Sequence, residues 1–271
     1  MTVATERIAE GRFDVHVDDR RTDELGRLGG AVNRMAQRLS NLVTGQKRFL
    51  GDAAHELCSP LARMEMGLGI LEGRVPETER ERLDDVREEV RHMSKLVNEL
   101  LQFSKAGLKP VGSPLQPVDL NRVVQRIVDR EGSSPQGCVV DLPPCTRVEA
   151  DPDLLEKAIG NLVRNAVRYA GAAGPIRIAA IAEGPSVLVR VSDAGSGVPP
   201  GDLPRLGEPF FRPDTARSAE TGGTGLGLAI VRTAIRACGG SVAFENLRPR
   251  GFRATLTLRS ASNRELSPNV P

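Results

Sequence analysis

Residues 49–71 read FLGDAAHELCSPLARMEMGLGIL, and this stretch decides the fold of the first half of the chain. At about 100° per residue, its apolar side chains fall on one stripe of a helix. The members of that stripe are Phe49, Ala53, Leu57, Leu61, Met64, Leu68 and Leu71. A long helix with one apolar stripe must bury it against other helices, so the stretch predicts a helical bundle.

His55 lies about 180° from the middle of this stripe, which predicts an imidazole that points into solvent. Ser59 follows one turn later, and Glu56 lies beside the histidine. Pro60 cannot donate to the carbonyl of Glu56, so a weakened or bent helix is expected just past His55. Such an exposed histidine suits a nucleophile that another domain must approach. A solvated histidine on a polar helix face is the alternative that this local pattern leaves open.

Apolar residues spaced 3-4-3-4-3 occur on both sides of this stretch and indicate coiled-coil packing. Residues 73–78 predict a turn between two helices. Two helices alone cannot bury both seams, so a dimeric helical hairpin, a four-helix bundle in the dimer, is expected. The seam residues are Leu25, Leu28, Val32, Met35, Leu39 and Leu42 in the first helix and Leu83, Val86, Val90, Met93, Val97 and Leu100 in the second.

The composition argues against several classes of protein. Lys and Arg number 37 against 35 Asp and Glu, and the net charge of +2 favours neither nucleic acid nor an acidic membrane surface as a partner. Aromatic residues make up 3% with no Trp, so base-stacking platforms are not expected. Four cysteines without a CxxC pair predict reduced, cytoplasmic thiols. The chain has no apolar run of about eighteen residues, so it is expected to be soluble, without a membrane span.

A Gly- and Pro-rich stretch at residues 107–117 predicts a hinge, after which helical and extended patterns alternate. This alternation predicts an α/β sandwich over residues 118–260. The polar tail at 261–271 is expected to be disordered. Helices are expected near 119–131, 153–170 and 226–238, and strands near 138–142, 146–150, 175–182, 186–193, 241–247 and 252–258.

Asparagines mark one candidate site in this second half. Asn161, Asn165 and Arg168 line up on one face of the helix at 153–170, nearly opposite its apolar stripe. Asn is a poor residue for a helix interior, so two on one face invite a functional explanation. A solvated polar face is the alternative.

An acidic residue and a glycine-rich loop mark the rest of the candidate site. Asp193 ends a strand on the same face as its valines, and a buried carboxylate needs a partner. Residues 222–228, GGTGLGL, lead into a helix, where glycines and free N–H groups can approach a phosphate. The loop has no Gly-Lys-Ser/Thr, so it is not a Walker loop. An Asp that merely ends a strand at a glycine turn is the alternative for Asp193.

These motifs, in this order, resemble those of sensor histidine kinases. The string from His55 to Leu61 resembles the phosphoacceptor box, although Cys58 and Ser59 stand where the family usually has Arg and Thr or Asn. Residues 161–169 resemble the N box, and Asp193-Ala-Gly-Ser-Gly resembles the D-x-G-x-G box, with Ala where Asn is usual.

The resemblance extends to four further segments. Residues 208–212, EPFFR, resemble the F box, residues 213–221 the mobile ATP lid, and residues 222–228 the second glycine box. The extended segment at 12–19, followed by Asp-Glu-Leu-Gly at 23–26, resembles a HAMP linker. In the family that linker follows a transmembrane segment, so the parent protein is expected to be anchored in the plasma membrane with this portion in the cytoplasm.

The resemblance implies roles for particular residues. His55 would be the phosphoacceptor, Glu56 would orient or deprotonate it, and Ser59 would help to hydrolyse the phosphoaspartate of a regulator. Asn165 would give Mg²⁺ an oxygen ligand, and Asp193 would accept a hydrogen bond from the adenine amino group of ATP. The residues implied in ATP binding are Asn161, Asn165, Arg168, Tyr169, Asp193, Gly195, Gly197, Phe210, Arg212, Gly223, Thr224, Gly225, Leu226 and Gly227.

The resemblance thus implies a homodimeric kinase that passes phosphate from ATP through His55 to the receiver domain of a separate response regulator. Its expected parts are a partial HAMP linker at 1–44, a dimerisation and phosphotransfer hairpin at 45–106 and an ATP-binding domain of the kinase, gyrase and chaperone type at 118–260. Two alternatives stay open. One is an ATPase of the gyrase and chaperone group, and the other is a non-catalytic dimer that docks a regulator.

Overall fold

The computed structural model describes residues 2–9, 13, 15–21, 23–108, 114–131, 137–170, 173–213 and 223–261. The chain divides into two compact units, Met1–Leu108 and Lys109–Pro271. Residues 109–113 of the expected hinge, 214–221 of the expected ATP lid and 262–271 of the expected tail lie outside the described residues. Among the helices described, none is long and apolar enough to cross a membrane.

The first unit is built on helices α1 (Thr2–Ala9), α2 (Glu24–Glu72) and α3 (Arg80–Leu108), with a 3₁₀ turn at Glu77–Glu79 before α3. Asp23 caps α2, because its side chain accepts from the N–H of Gly26 at 3.1 Å. Pro60 lies inside α2, and the helix continues through it.

Within one chain, α2 packs on α3 through a row that differs from the predicted stripe. Phe49, Leu57 and Met64 stay exposed, and Phe49 keeps 70% of its surface. The predicted stripe therefore divides into two rows, one that packs on α3 and one that stays exposed. This happens because the stripe spreads around more of the helix than the inner face of a hairpin covers. The buried residues between the helices are Ala54, Leu61, Val90, Val97 and Leu101, with Cys58, Leu68 and Leu100 packed against them.

The predicted seam in the first part of α2 is divided in the same way. Val32 is buried with Ile8 and Ala36, and Leu39 packs against this cluster. The other seam residues, Leu25, Leu28, Met35 and Leu42, are exposed in the single chain.

The helices of the hairpin approach closely near its open end. Ser104 on α3 is 1% exposed and donates its hydroxyl to the carbonyl of Lys47 on α2, 2.7 Å away. A Cβ added at Gly51 would lie 2.5 Å from the Ser104 oxygen, so only glycine fits there. This contact fixes the two helices one turn before His55.

The second unit is an α/β sandwich, as the sequence predicts. Its elements are β1 (Gln116–Asp119), α4 (Leu120–Glu131), β2 (Cys138–Asp141), β3 (Arg147–Ala150), α5 (Pro152–Ala170), β4 (Ile176–Glu183), β5 (Ser186–Asp193), α6 (Gly227–Ala237), β6 (Ser241–Asn246) and β7 (Phe252–Arg259). A five-stranded sheet has the order β2-β4-β5-β7-β6, and a two-stranded sheet pairs β1 with β3 antiparallel. All pairs in the larger sheet are antiparallel except β2 with β4.

Strand β1 is the element that the sequence does not predict. Gln116 and Pro117 fall in the expected hinge but pair with Ala150 and Glu149 of β3. Pro is rare in strands and tolerated only where a ladder bond is dispensable, so the local pattern favours a linker. A 3₁₀ turn at Leu203–Arg205 is also absent from the expected elements.

Candidate functional site

The phosphoacceptor candidate lies on the outer face of α2. His55, Glu56 and Ser59 are all exposed, while the neighbouring Ala54 is fully buried against α3. The exposure predicted for His55 is confirmed. The Ser59 oxygen accepts a hydrogen bond from the guanidinium of Arg63, 2.6 Å away, so one turn of α2 presents an imidazole and a bonded hydroxyl side by side.

Helix α5 begins at a strong cap and carries the two asparagines. The Asp151 carboxylate accepts from the N–H groups of Asp153 and Leu154, each at 3.1 Å, and Pro152 occupies the first helical position. Further along, Asn161 is only 6% exposed and its amide donates to the carbonyl of Lys157 at 2.8 Å. The alternative of a solvated polar face does not hold for Asn161, because α6 packs on that side of α5.

The first residue of α6 brings the asparagines and the glycine-rich loop together. A Cβ added at Gly227 would lie 3.4 Å from the amide oxygen of Asn161 and 3.6 Å from that of Asn165. Just before α6, the hydroxyl of Thr224 accepts from the N–H of Leu226 at 3.1 Å. Two neutral amide oxygens therefore face the N-terminus of a helix, a place that attracts anions.

Asp193 lies at the end of β5, half-buried. Burial raises the pKa of its carboxyl group, although the backbone N–H groups of Gly195 and Phe252 act against this shift. The Gly195 N–H donates to one Asp193 oxygen at 2.9 Å. A Cβ added at Gly195 would lie 3.3 Å from the carbonyl of Tyr169, so the loop after Asp193 packs on the C-terminal end of α5. This is the end that carries Arg168 and Tyr169.

The F box meets the glycine box through the backbone. The N–H of Phe210 donates to the carbonyl of Gly225 at 3.1 Å, and both residues have positive φ, +66° and +77°. Phe210 is 59% exposed. Arg212 is half-buried, and Gly222 lies outside the described residues.

Three family models match the chain, and each covers one part of it. They are the HAMP domain over residues 1–41, the His Kinase A (phospho-acceptor) domain over 46–108 and the Histidine kinase-, DNA gyrase B-, and HSP90-like ATPase over 150–262. The sensor histidine kinase CpxA of Escherichia coli K12 is 31% identical over 261 residues, which cover 94% of this chain and 56% of CpxA. The chain belongs to the sensor histidine kinase family.

Other sensor histidine kinases align with a similar share of their sequences. BaeS of Escherichia coli K12 is 30% identical over 88% of this chain and 52% of BaeS, so the chain spans about half the length of such relatives. Among solved structures, full-length ShkA in complex with AMPPNP matches with a TM-score of 0.64 at 26% identity, covering 79% of this chain and 46% of ShkA. The kinase AdeS of Acinetobacter baumannii matches with a TM-score of 0.52 at 25% identity, covering 76% of this chain and 97% of AdeS.

In this histidine kinase chain, the structure groups residues expected at the nucleotide site in two places. Asn161, Asn165 and Gly227 meet where α5 faces α6. The loop after Asp193 meets the C-terminal end of α5 at Gly195. Since α5 belongs to both groups, it is the common wall of the candidate site.

Two residues of this kinase unit are not marked by any motif in the sequence. Asn246, at the end of β6, bonds twice to the backbone of Val198. Arg232 on α6 lies over the Phe244 ring at 5.4 Å, and a Cβ added at Gly207 would lie 2.5 Å from its Cδ. Both contacts join segments far apart in the chain, so spacing alone gives no signal for them.

Proposed function

We propose that this chain is the catalytic portion of an ATP-dependent histidine autokinase. It phosphorylates His55 and passes the phosphoryl group to an aspartate on a separate response regulator. The observation that carries the proposal is the meeting of Asn161 and Asn165 with Gly227 at the start of α6, in a chain that also exposes His55. Membership in the sensor histidine kinase family supports it.

The adenine end of ATP is assigned to Asp193. Its ionised carboxylate accepts a hydrogen bond from the exocyclic amino group, and Tyr169, 45% exposed at the end of α5, flanks the base. The ShkA complex with AMPPNP supports nucleotide binding by this fold.

The phosphate end is assigned to the start of α6. The backbone N–H groups at the start of α6 are assigned to phosphate oxygens, because a helix leaves its first N–H groups without a partner inside the helix, and Arg168 adds positive charge. The Asn165 amide oxygen is a ligand that suits Mg²⁺, which prefers hard oxygen donors and offsets phosphate charge when bound.

The chemical step belongs to His55. A nitrogen of the neutral imidazole attacks the γ-phosphorus in line, an N–P bond forms, and the bond to the leaving ADP oxygen breaks with its electron pair. Glu56 orients the ring or takes the proton of the other ring nitrogen. The phosphoryl group then moves to a carboxylate oxygen of the regulator, which restores the neutral histidine. The Ser59 hydroxyl is assigned to a separate reaction, the hydrolysis of the regulator's phosphoaspartate.

The kinase is proposed to act as a homodimer. The exposed apolar row of α2 supports this, since a soluble helix that leaves such a row uncovered has an interaction surface there. The row includes Leu25, Leu28, Met35, Leu42, Phe49, Leu57 and Met64. The HAMP match at residues 1–41 supports a membrane-anchored parent protein with this portion in the cytoplasm.

Labelling of the full chain with γ-labelled ATP and Mg²⁺ tests the proposal. The label should enter the protein, be lost in acid and survive base, as a phosphoramidate does. His55→Gln should abolish labelling and keep ATP affinity, while His92→Gln, on an equally exposed helix face, should label normally. Label on the His55→Gln protein would contradict the assignment. ATP turnover without phosphoprotein would favour the ATPase alternative, and absence of ATP binding the docking alternative.

A further inference from the structure

Asn246 holds the loop that follows Asp193. It is the last residue of β6, and its amide oxygen accepts from the N–H of Val198 at 2.9 Å. Its amide nitrogen donates to the carbonyl of the same residue at 2.6 Å. One side chain thus satisfies both backbone groups of Val198, as a neighbouring strand would.

The loop itself is tied to the Asp193 carboxylate. Gly195 donates its N–H to an Asp193 oxygen, and Gly197 follows with a φ of +75°. A Cβ added at Gly197 would lie 2.7 Å from the amide oxygen of Asn246. The loop therefore lies directly on the Asn246 amide, with no room for a side chain between them.

The hairpin that carries Asn246 also supports Asp193 from behind. Asn246 pairs with Phe252 between β6 and β7, and Phe252 pairs with Asp193 between β7 and β5. A Cβ added at Gly251 would collide with the carbonyl oxygen of Asp193. The end of the β6–β7 hairpin is thus packed against both the backbone of Asp193 and the loop after it.

We propose that Asn246 is a positioning residue for nucleotide recognition. By holding Val198, it fixes the loop whose Gly195 N–H orients the Asp193 carboxylate toward the adenine amino group. The inference rests on the proposed function, because it assigns Asn246 a role through Asp193 and none in direct contact with ATP.

Loss of the Asn246 amide should therefore weaken nucleotide binding, although Asn246 itself is assigned no contact with the nucleotide. Asn246→Ala removes two hydrogen bonds to Val198 and frees the loop. A decrease in ADP affinity of about tenfold is expected, as for one or two lost hydrogen bonds. A role in folding alone would lower thermal stability and leave the ADP affinity of the folded protein unchanged.

The pH dependence of ADP binding distinguishes a positioning role of Asn246 from a role in folding alone. The Gly195 N–H holds down a pKa that burial raises, so a loosened loop lets the pKa of Asp193 rise further. Adenine needs the ionised form, so ADP affinity should fall off at a higher pH in Asn246→Ala than in the wild type. The groups that influence the Asp193 carboxyl are backbone N–H groups, and the nearby Arg253 bonds instead to Ser192 and Glu245 on the opposite face of the sheet.

The experiment is calorimetric titration of ADP into the full chain from acidic to neutral pH. Asn121→Ala is the matched control, because the Asn121 amide bonds to the carbonyl of Pro143 at 3.1 Å and not to the loop after Asp193. The inference expects weaker binding and a shifted acid limb for Asn246→Ala only. Wild-type affinity and an unshifted limb in Asn246→Ala would overturn it. A wild-type chain that binds no ADP would overturn the proposed function, and this inference with it.

A measurement on the wild-type chain covers the case in which Asn246→Ala does not fold. The side-chain amide protons of Asn246 and the N–H of Val198 should exchange more slowly with solvent when ADP is bound, because the nucleotide orders the same loop. Exchange rates that do not respond to ADP, in a chain that binds it, would overturn the inference.

Discussion

The N–H of Phe210 lies 3.1 Å from the carbonyl oxygen of Gly225, and this hydrogen bond joins the F box to the glycine box. A Cβ added at Gly225 would come within 2.7 Å of the Phe210 carbonyl carbon. Both residues have a left-handed backbone, which costs a phenylalanine more than a glycine. The backbone conformation of the loop proposed to bind phosphate therefore depends on the backbone conformation of Phe210.

Gly225→Ala should disrupt nucleotide binding more than it disrupts folding. The substitution adds backbone strain of about 1 kcal/mol and a collision with the Phe210 backbone, so the loop must move. We expect ATP affinity, measured by calorimetry, to fall by about tenfold or more. Gly239→Ala is the control, because Gly239 has a similar φ of +72° but open space around it. Equal loss of affinity in both variants would mean that strain, and not the contact with Phe210, matters.

Asp193→Asn should stabilise the nucleotide-free protein at neutral pH. Burial raises the pKa of Asp193 in the folded state, so the ionised carboxylate opposes folding once the pH exceeds the ordinary Asp range of about 4. The difference in Tm between variant and wild type should therefore be positive at neutral pH and vanish as the pH falls below that range. A difference independent of pH would contradict this origin.

The same substitution should weaken ATP and ADP binding about equally. An Asn side chain has an NH₂ group where Asp has its second acceptor oxygen, so a donor faces the adenine amino group. A buried donor without an acceptor costs about 1–3 kcal/mol. Calorimetry with both nucleotides measures the effect. Unchanged affinity would remove Asp193 from the adenine site.

Asn165→Asp and Asn161→Asp should differ although the residues share one face of α5. Asn165 is half-exposed, so its variant should fold normally and lose Mg²⁺-dependent autophosphorylation by about a hundredfold. Asn161 is buried and donates to the Lys157 carbonyl, so its variant buries a charge and loses that donor. It should lower the free energy of unfolding by about 1–3 kcal/mol. Labelling rates across Mg²⁺ concentrations and thermal melts together check both outcomes.

Ser59→Ala should spare autophosphorylation and slow dephosphorylation of the regulator. The variant loses the hydroxyl that Arg63 contacts but leaves His55 and Glu56 in place. Glu56→Ala should instead slow phosphoryl transfer to His55, by about a hundredfold for a lost general base. The measurement is the half-life of the regulator phosphate with ADP present. Ser94→Ala, which removes one hydrogen bond to Glu65, is the control, and an equal half-life in both serine variants would leave Ser59 without this role.

The elements of the structure follow from local patterns in the sequence, and the contacts between them do not. The spacing of apolar residues places α5 and β5 within a few residues of their observed bounds, because that periodicity is local. The burial of Asn161 depends on α6, which comes much later in the chain. A pattern within one helix could indicate that Asn161 is unusual but not that it is covered.

The same distinction explains Pro117 and Asn246. Pro117 enters β1 only because β3 offers a partner, so a four-residue strand with a proline appears as a linker in the sequence. Asn246 and Val198 are 48 residues apart, and the sequence near either residue does not predict their contact. The position of His55 was predictable because exposure on a helix depends on residues within two turns of it.

Helix α2 has a consequence for how the direction of His55 is set. Its 49 residues run without a break from the part that matches HAMP through the phosphoacceptor turn, and at about 1.5 Å per residue they extend about 74 Å. Inserting one residue after Asp23 would turn the imidazole by about 100° about the helix axis, and inserting seven would return it to within about 20°. The direction that the His55 imidazole faces is thus set by the number of residues that separate it from the helix cap at Asp23, which lies further away than a helical bundle is wide.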